Sequence, residues 1–115
     1  MKPFTFFVHM NATREWLKLS HQQRDEFFSN RLGQIMARYE DVRVRLFDVE
    51  AFSTKCSDIA MFETENLQAY TFMMDALRDS EFYTVPYFEI VDIYPAIEES
   101  FRDYVNTVQG IPTTP

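Results

Sequence analysis

Glycine is almost missing from this chain of 115 residues, with Gly33 and Gly110 alone and far apart. No G-x-x-x-x-G-K or G-x-G-x-x-G can be written, which excludes the glycine-rich loops that cradle phosphates. A single cysteine, Cys56, excludes an internal disulfide. Basic residues are few: eleven Lys and Arg face eighteen Asp and Glu, a net charge of −7. That balance argues against nucleic acid, whose phosphates need a basic stripe, and against an anionic membrane surface. No apolar run approaches the ~18 residues of a membrane span. "MKPFTFFVHMNA" has one Lys and too short an apolar stretch for a signal peptide. The expectation is a soluble cytoplasmic protein with no nucleic-acid or membrane partner.

Apolar side chains make up 46% of the chain and aromatic ones 17%, with twelve Phe and six Tyr. One domain over 1–109 and a loose tail over 110–115 are expected, since the length suits one modest core. Alternation predicts strands at about 4–10, 42–50 and 58–64, and a fourth in "VPYFEIVDIYP". Thr13 reads as the cap of a short helical turn. Ser20 and Gln23 have capping-box spacing ahead of a helix over about 21–39. Leu67, Tyr70, Met74 and Leu77 recur at helical period within 64–80. Ile97, Phe101, Tyr104 and Val108 mark a terminal amphipathic helix, with Pro95 placed at its start. The order β-α-β-β-α-β plus a C-terminal helix is the split βαβ of an α+β, ferredoxin-like domain. One sheet face is covered by helices and the other is bare.

Alternation also assigns faces. Val42, Val44 and Leu46 suit the helices, which sends Arg43, Arg45 and Phe47 to the bare face. Phe4, Phe6 and Val8 go inward and Phe7 and His9 outward; Phe88 and Ile90 go inward, leaving Tyr87, Glu89 and Val91 outside. In the third strand both rows are apolar enough to pack. Ile59 and Met61 are taken as inward, with Asp58, Ala60 and Phe62 outside. Three Phe and a Tyr on an open face mark an interface or a ligand groove. The simplest arrangement is a homodimer closed sheet against sheet, with Asp58 and Glu89 pairing the arginines.

The segments "FFVHMNATREWLKLS", "RLFDVEAFSTKCSDIAMFETENLQAYTFMMDALRDS" and "PYFEIVDI" resemble the darcynin family of small bacterial proteins, and the resemblance covers nearly the whole chain. It brings no catalytic residues with it. The fold it implies is a dimeric α+β barrel, an arrangement that also hosts cofactor-free monooxygenases, haem enzymes, lyases and isomerases.

Three functions follow. In the first, Arg45, Phe7, Phe47, Asp58, Phe62, Tyr87 and Glu89 bind a small apolar or aromatic metabolite on the open face. In the second, a cofactor-free enzyme uses His9 as acid or base, its ring oriented by Asp58 or Glu89, with Arg45 holding an oxyanion or carboxylate. In the third, the face is filled by the dimer contact alone, and His9 and the arginines are structural. Cys56 beside Lys55 has a cation nearby but no legible His partner. Asp48, Glu50 and Asp58 offer oxygen ligands whose spacing matches no cation loop, so they read as solvated strand ends. Glu98 and Glu99 suit a helix start. No metal or cofactor is expected.

Overall fold

The computed structural model describes residues 2–110. Strand β1 (Phe4–Ala12) ends at Thr13, whose Oγ1 accepts from Trp16 N–H and caps α1 (Arg14–Leu17). Ser20 and Gln23 form the expected reciprocal capping box at the start of α2 (His21–Glu26). The helix then runs through a π-helical segment (Phe27–Leu32) into α3 (Gly33–Arg38). Strands β2 (Arg43–Asp48) and β3 (Asp58–Thr64) form a hairpin. Asn66 accepts from Ala69 N–H and caps α4 (Leu67–Arg78). A short α5 (Glu81–Thr84), not read from the sequence, precedes β4 (Phe88–Ile97), and α6 (Ser100–Val108) follows. Of the expected tail, residues 111–115 lie outside the described residues.

The four strands form one antiparallel sheet in the order β2-β3-β1-β4, the split βαβ topology expected for an α+β ferredoxin-like domain. Its core face packs on the helices through Phe6, Val8, Met10, Ala60, Phe62 and Phe88, against Leu32, Ile35, Met73 and Leu77. Each such side chain, once buried, stabilises the fold by about 1.5–3 kcal/mol. Pro95 does not open the last helix. It lies inside β4 opposite Phe6, and β4 is an edge strand, where a missing N–H is tolerated. Among the described residues, no helix is long and apolar enough to cross a membrane.

Two features set the faces. Phe6 pairs with Phe62 and Val8 with Ala60, so directly opposed residues share a face. With Phe6 and Val8 buried, Ala60 and Phe62 must be buried too. A register shift between His9 and Met10 then inserts one extra residue into β4, so that Met10 faces Ile90 while His9 faces Asp92. Outward positions change parity there, from Glu89 and Val91 to Asp92, Tyr94 and Ala96.

Candidate functional site

The open face is built in rows across the strands. Arg45, Met61, Phe7 and Tyr94 form one; Phe47, Ile59, His9 and Asp92 form the next. Phe7, Arg45 and Phe47 therefore stand where expected, with Phe7 37% and Phe47 41% exposed. The Arg45 guanidinium lies 5.1 Å from the Phe47 ring centroid. Arg43 pairs with Glu63 across the strands rather than with Asp58 or Glu89. His9 lies edge-on to Tyr94 at 5.1 Å between ring centroids. The Tyr94 hydroxyl bonds to the Asp92 carboxylate, which together with that negative charge raises the Tyr94 pKa. Glu89 is on this face, opposite Asn11 and beyond the bulge from His9. A shallow depression of about 330 Å³ includes Phe7, Arg45, Met61 and Glu63.

Three expected members are elsewhere. Phe62 is buried on the helix side with its ring 5.8 Å from Tyr70, because its register partner Phe6 is buried there. Burial raises the Tyr70 hydroxyl to about 12. Tyr87 precedes β4 and turns inward, its ring 5.4 Å from Trp16 and 4.9 Å from Phe27. Its carbonyl accepts from Thr13 N–H, tying the two turns together. Asp58 shares the core face with Met10 and Asp48, so it cannot orient His9.

An apolar, partly open cavity lies on the other side of the sheet from the expected pocket. About 270 Å³ lies between the sheet and the helices. Its walls are apolar, with Met10, Phe28, Leu32, Ala60 and Met73 among them, and Leu46 at the β2 edge is 52% exposed. Two of these, Phe28 and Leu32, belong to the π-helical segment, a geometry frequent at functional sites. The charged side chains of the lining are Asp48 and Asp58, directly opposed across β2 and β3. Ser57 Oγ donates to Asp58 Oδ2 at 2.6 Å and accepts from Ala12 N–H at 2.7 Å, which fixes the hairpin end to β1. Burial pushes the Asp58 pKa up; the Ser57 bond lowers it less, and the charges of Glu50 and Asp48 add to the rise. One carboxylate oxygen from each of Asp48, Glu50 and Asp58 lies within 4.8 Å of the others. Sequence spacing gave no sign of that convergence.

The inward placement of Asp48 was nevertheless legible. It continues the row Val42, Val44, Leu46 that alternation had already turned toward the helices. Cys56 is a free buried thiol.

The profile described as "Darcynin, domain of unknown function" matches residues 1–113. Darcynin 1 of Acinetobacter baumannii is 56% identical over 88 residues, which is 76% of this chain and 98% of that protein. Among solved structures, a heme-binding protein from Thermus thermophilus superposes with a TM-score of 0.75 at 16% identity, over 91% of this chain. A chlorite dismutase variant from Candidatus Nitrospira defluvii gives 0.72 at 18% identity, over 84%. This chain spans only 44% and 40% of those two chains, and at such identity the likeness establishes the fold alone. The profile match over nearly the whole length, together with the relative at 56% identity, shows that the chain belongs to the darcynin family.

Proposed function

We propose that this protein binds a small, largely apolar molecule in the cavity between sheet and helices, with the molecule's polar end at Asp48 and Asp58. The observation that carries the reading is the cavity itself, about 270 Å³ with apolar walls and a carboxylate pair in its lining. An apolar cavity of ~150 Å³ admits benzene. The space here suits one or two fused rings, or a ring with a short tail. The raised Asp58 pKa supports a head group that donates hydrogen bonds, such as an amine or hydroxyl, over an acid.

Haem, which the Thermus neighbour is described as binding, does not fit these residues. Among the described residues no His, Cys or Tyr lines the cavity, the three Met there have no His to complete a Met/His pair, and a four-ring macrocycle needs several times the space of benzene. Its carboxylates would also meet Asp48 and Asp58.

The test uses 1-naphthylamine, a fluorescent two-ring aromatic amine, with the purified full chain. Enhanced, blue-shifted emission is expected. It should be lost in Ala60→Phe, which fills the cavity, and in Leu46→Trp, which narrows its edge. It should be kept in Phe7→Ala on the open face. Unchanged binding in both cavity variants would overturn the reading, and loss in Phe7→Ala would move the ligand to the open face. A cytoplasmic setting accompanies the reading, in keeping with the free thiol of Cys56.

A second reading concerns assembly, and charge carries it. Arg43 and Arg45 lie on β2 at one edge of the open face, while Glu89 and Asp92 lie on β4 at the other. We infer that two chains pack these faces together about a twofold axis parallel to the strands. That axis sets the basic edge of each over the acidic edge of the other, whereas an axis across the strands opposes like charges. Phe7 then fills the centre, and Phe47 and Tyr94 line the two edges. Sedimentation of the full chain over a range of concentrations tests this, and a monomer throughout would refute it.

A further inference from the structure

Among the described residues, the last helix, α6, buries none of its side chains on its own chain. Phe101, Tyr104 and Val108 are each about 60% exposed along one stripe. A helix of nine residues is marginal in water without packing, since ~12–15 residues are needed for an isolated helix to persist. The chain turns out of β4 at Glu99, whose backbone is left-handed at φ 45°. Lys2 then braces the turn: its Nζ donates to Glu98 O at 2.9 Å and to Glu99 O at 3.3 Å, and it lies 3.4 Å from Asp103. The helix is held as an arm. The radius of gyration is 16.9 Å, against about 13 Å for a compact domain of this size.

We propose that α6 is a clasp that docks on a second copy of this chain, across the β2 edge that carries Arg43 and Arg45. This rests on the twofold assembly inferred above. With the axis parallel to the strands, β4 of one chain lies over β2 of its partner. Ile97, Phe4 and Thr64 mark one end of the sheet, and Arg43 beside Glu63 lies at that same end. Residues that leave β4 after Ile97 therefore arrive beside the partner's basic edge. They bring Glu98, Glu99 and Asp103 against one cation, Arg102, which pairs with Glu99, so the arm is net acidic and complements that edge.

Area points the same way. Four strands ~4.8 Å apart and about seven residues long project a patch of roughly 440 Å². A stable interface buries about 800 Å² of accessible surface on each partner, which leaves the sheet contact little margin. The arm's apolar stripe supplies the remainder.

The test uses the full chain with a photo-crosslinking amino acid at Tyr104, in a mixture of ¹⁵N-labelled and unlabelled protein. Expected are crosslinks between labelled and unlabelled chains that map to 43–47. The double variant Phe101→Glu, Tyr104→Glu should weaken the dimer by about tenfold or more, the effect of losing one well-packed anchor. Phe7→Glu should abolish the dimer. Crosslinks confined to one chain, or a double variant that dimerises as tightly as the wild type, would overturn the clasp and leave the sheet-to-sheet dimer standing. A wild-type monomer at all concentrations would overturn both.

Discussion

Replacing Asp58 by Asn should stabilise the protein near neutral pH and do little in acid. Asp58 is half-buried directly opposite Asp48, and Glu50 lies close by. Desolvation and these two negative charges raise its pKa, and the Ser57 bond only partly offsets them. The sign follows from linkage. An acid whose folded pKa is raised favours folding fully below its unfolded pKa, and that contribution is lost as pH rises through the folded pKa. At pH 7.5 the wild type therefore holds a carboxylate the fold disfavours.

Asn keeps an oxygen for Ser57 and removes the charge. Asp48 and Glu50 are exposed, so screening limits the gain to the range of cross-strand pairs, about 0.2–1 kcal/mol. For a domain of this size that corresponds to about 1–5 °C in Tm. Thermal unfolding followed by circular dichroism at pH 7.5 and pH 3 reads it. The difference between variant and wild type should be present at pH 7.5 and shrink at pH 3. A loss of stability at pH 7.5, or an equal shift at both pH values, would refute the account. In Asp48→Asn the gain from Asp58→Asn should be smaller, since the opposing charge is already gone.

Trp16, buried and in ring contact with Phe27, Phe28, Tyr87 and Phe88, pins α1 to the long helix and to the start of β4. Trp16→Ala should cost about 3–5 kcal/mol in denaturant unfolding. A cost under about 1 kcal/mol would show that this cluster does not hold that end together. The Tyr70 hydroxyl is raised to about 12, so the stability it contributes is lost as pH climbs from about 10 through 12. Tyr70→Phe should flatten alkaline unfolding in that window, and an unchanged alkaline limb would count against the assignment.

Local pattern carried much of this protein. Thr13 and the Ser20–Gln23 box announce helix starts because a cap is a relation between residues three apart. Likewise, β2 reveals its faces because Arg43 and Arg45 alternate with Val42, Val44 and Leu46, and only one of those rows can meet an apolar core. Pro95 misled the assignment of the last helix because a proline at a helix start and one in an edge strand look alike until the strand's neighbours are known.

What tertiary structure alone decided was the face of β3, the bulge in β4 and therefore the site. Both rows of β3 are apolar enough to be buried, so composition cannot choose between Ile59 with Met61 and Ala60 with Phe62. The choice falls to long-range pairing, since Phe6 is inward and Phe62 sits opposite it. One extra residue at the bulge then brings Asp92 and Tyr94 outward, a shift that alternation along a single strand cannot register. The sequence by itself set the elements and their caps. Contacts between residues some fifty positions apart placed Asp58 in a cavity wall and Phe62 in the core.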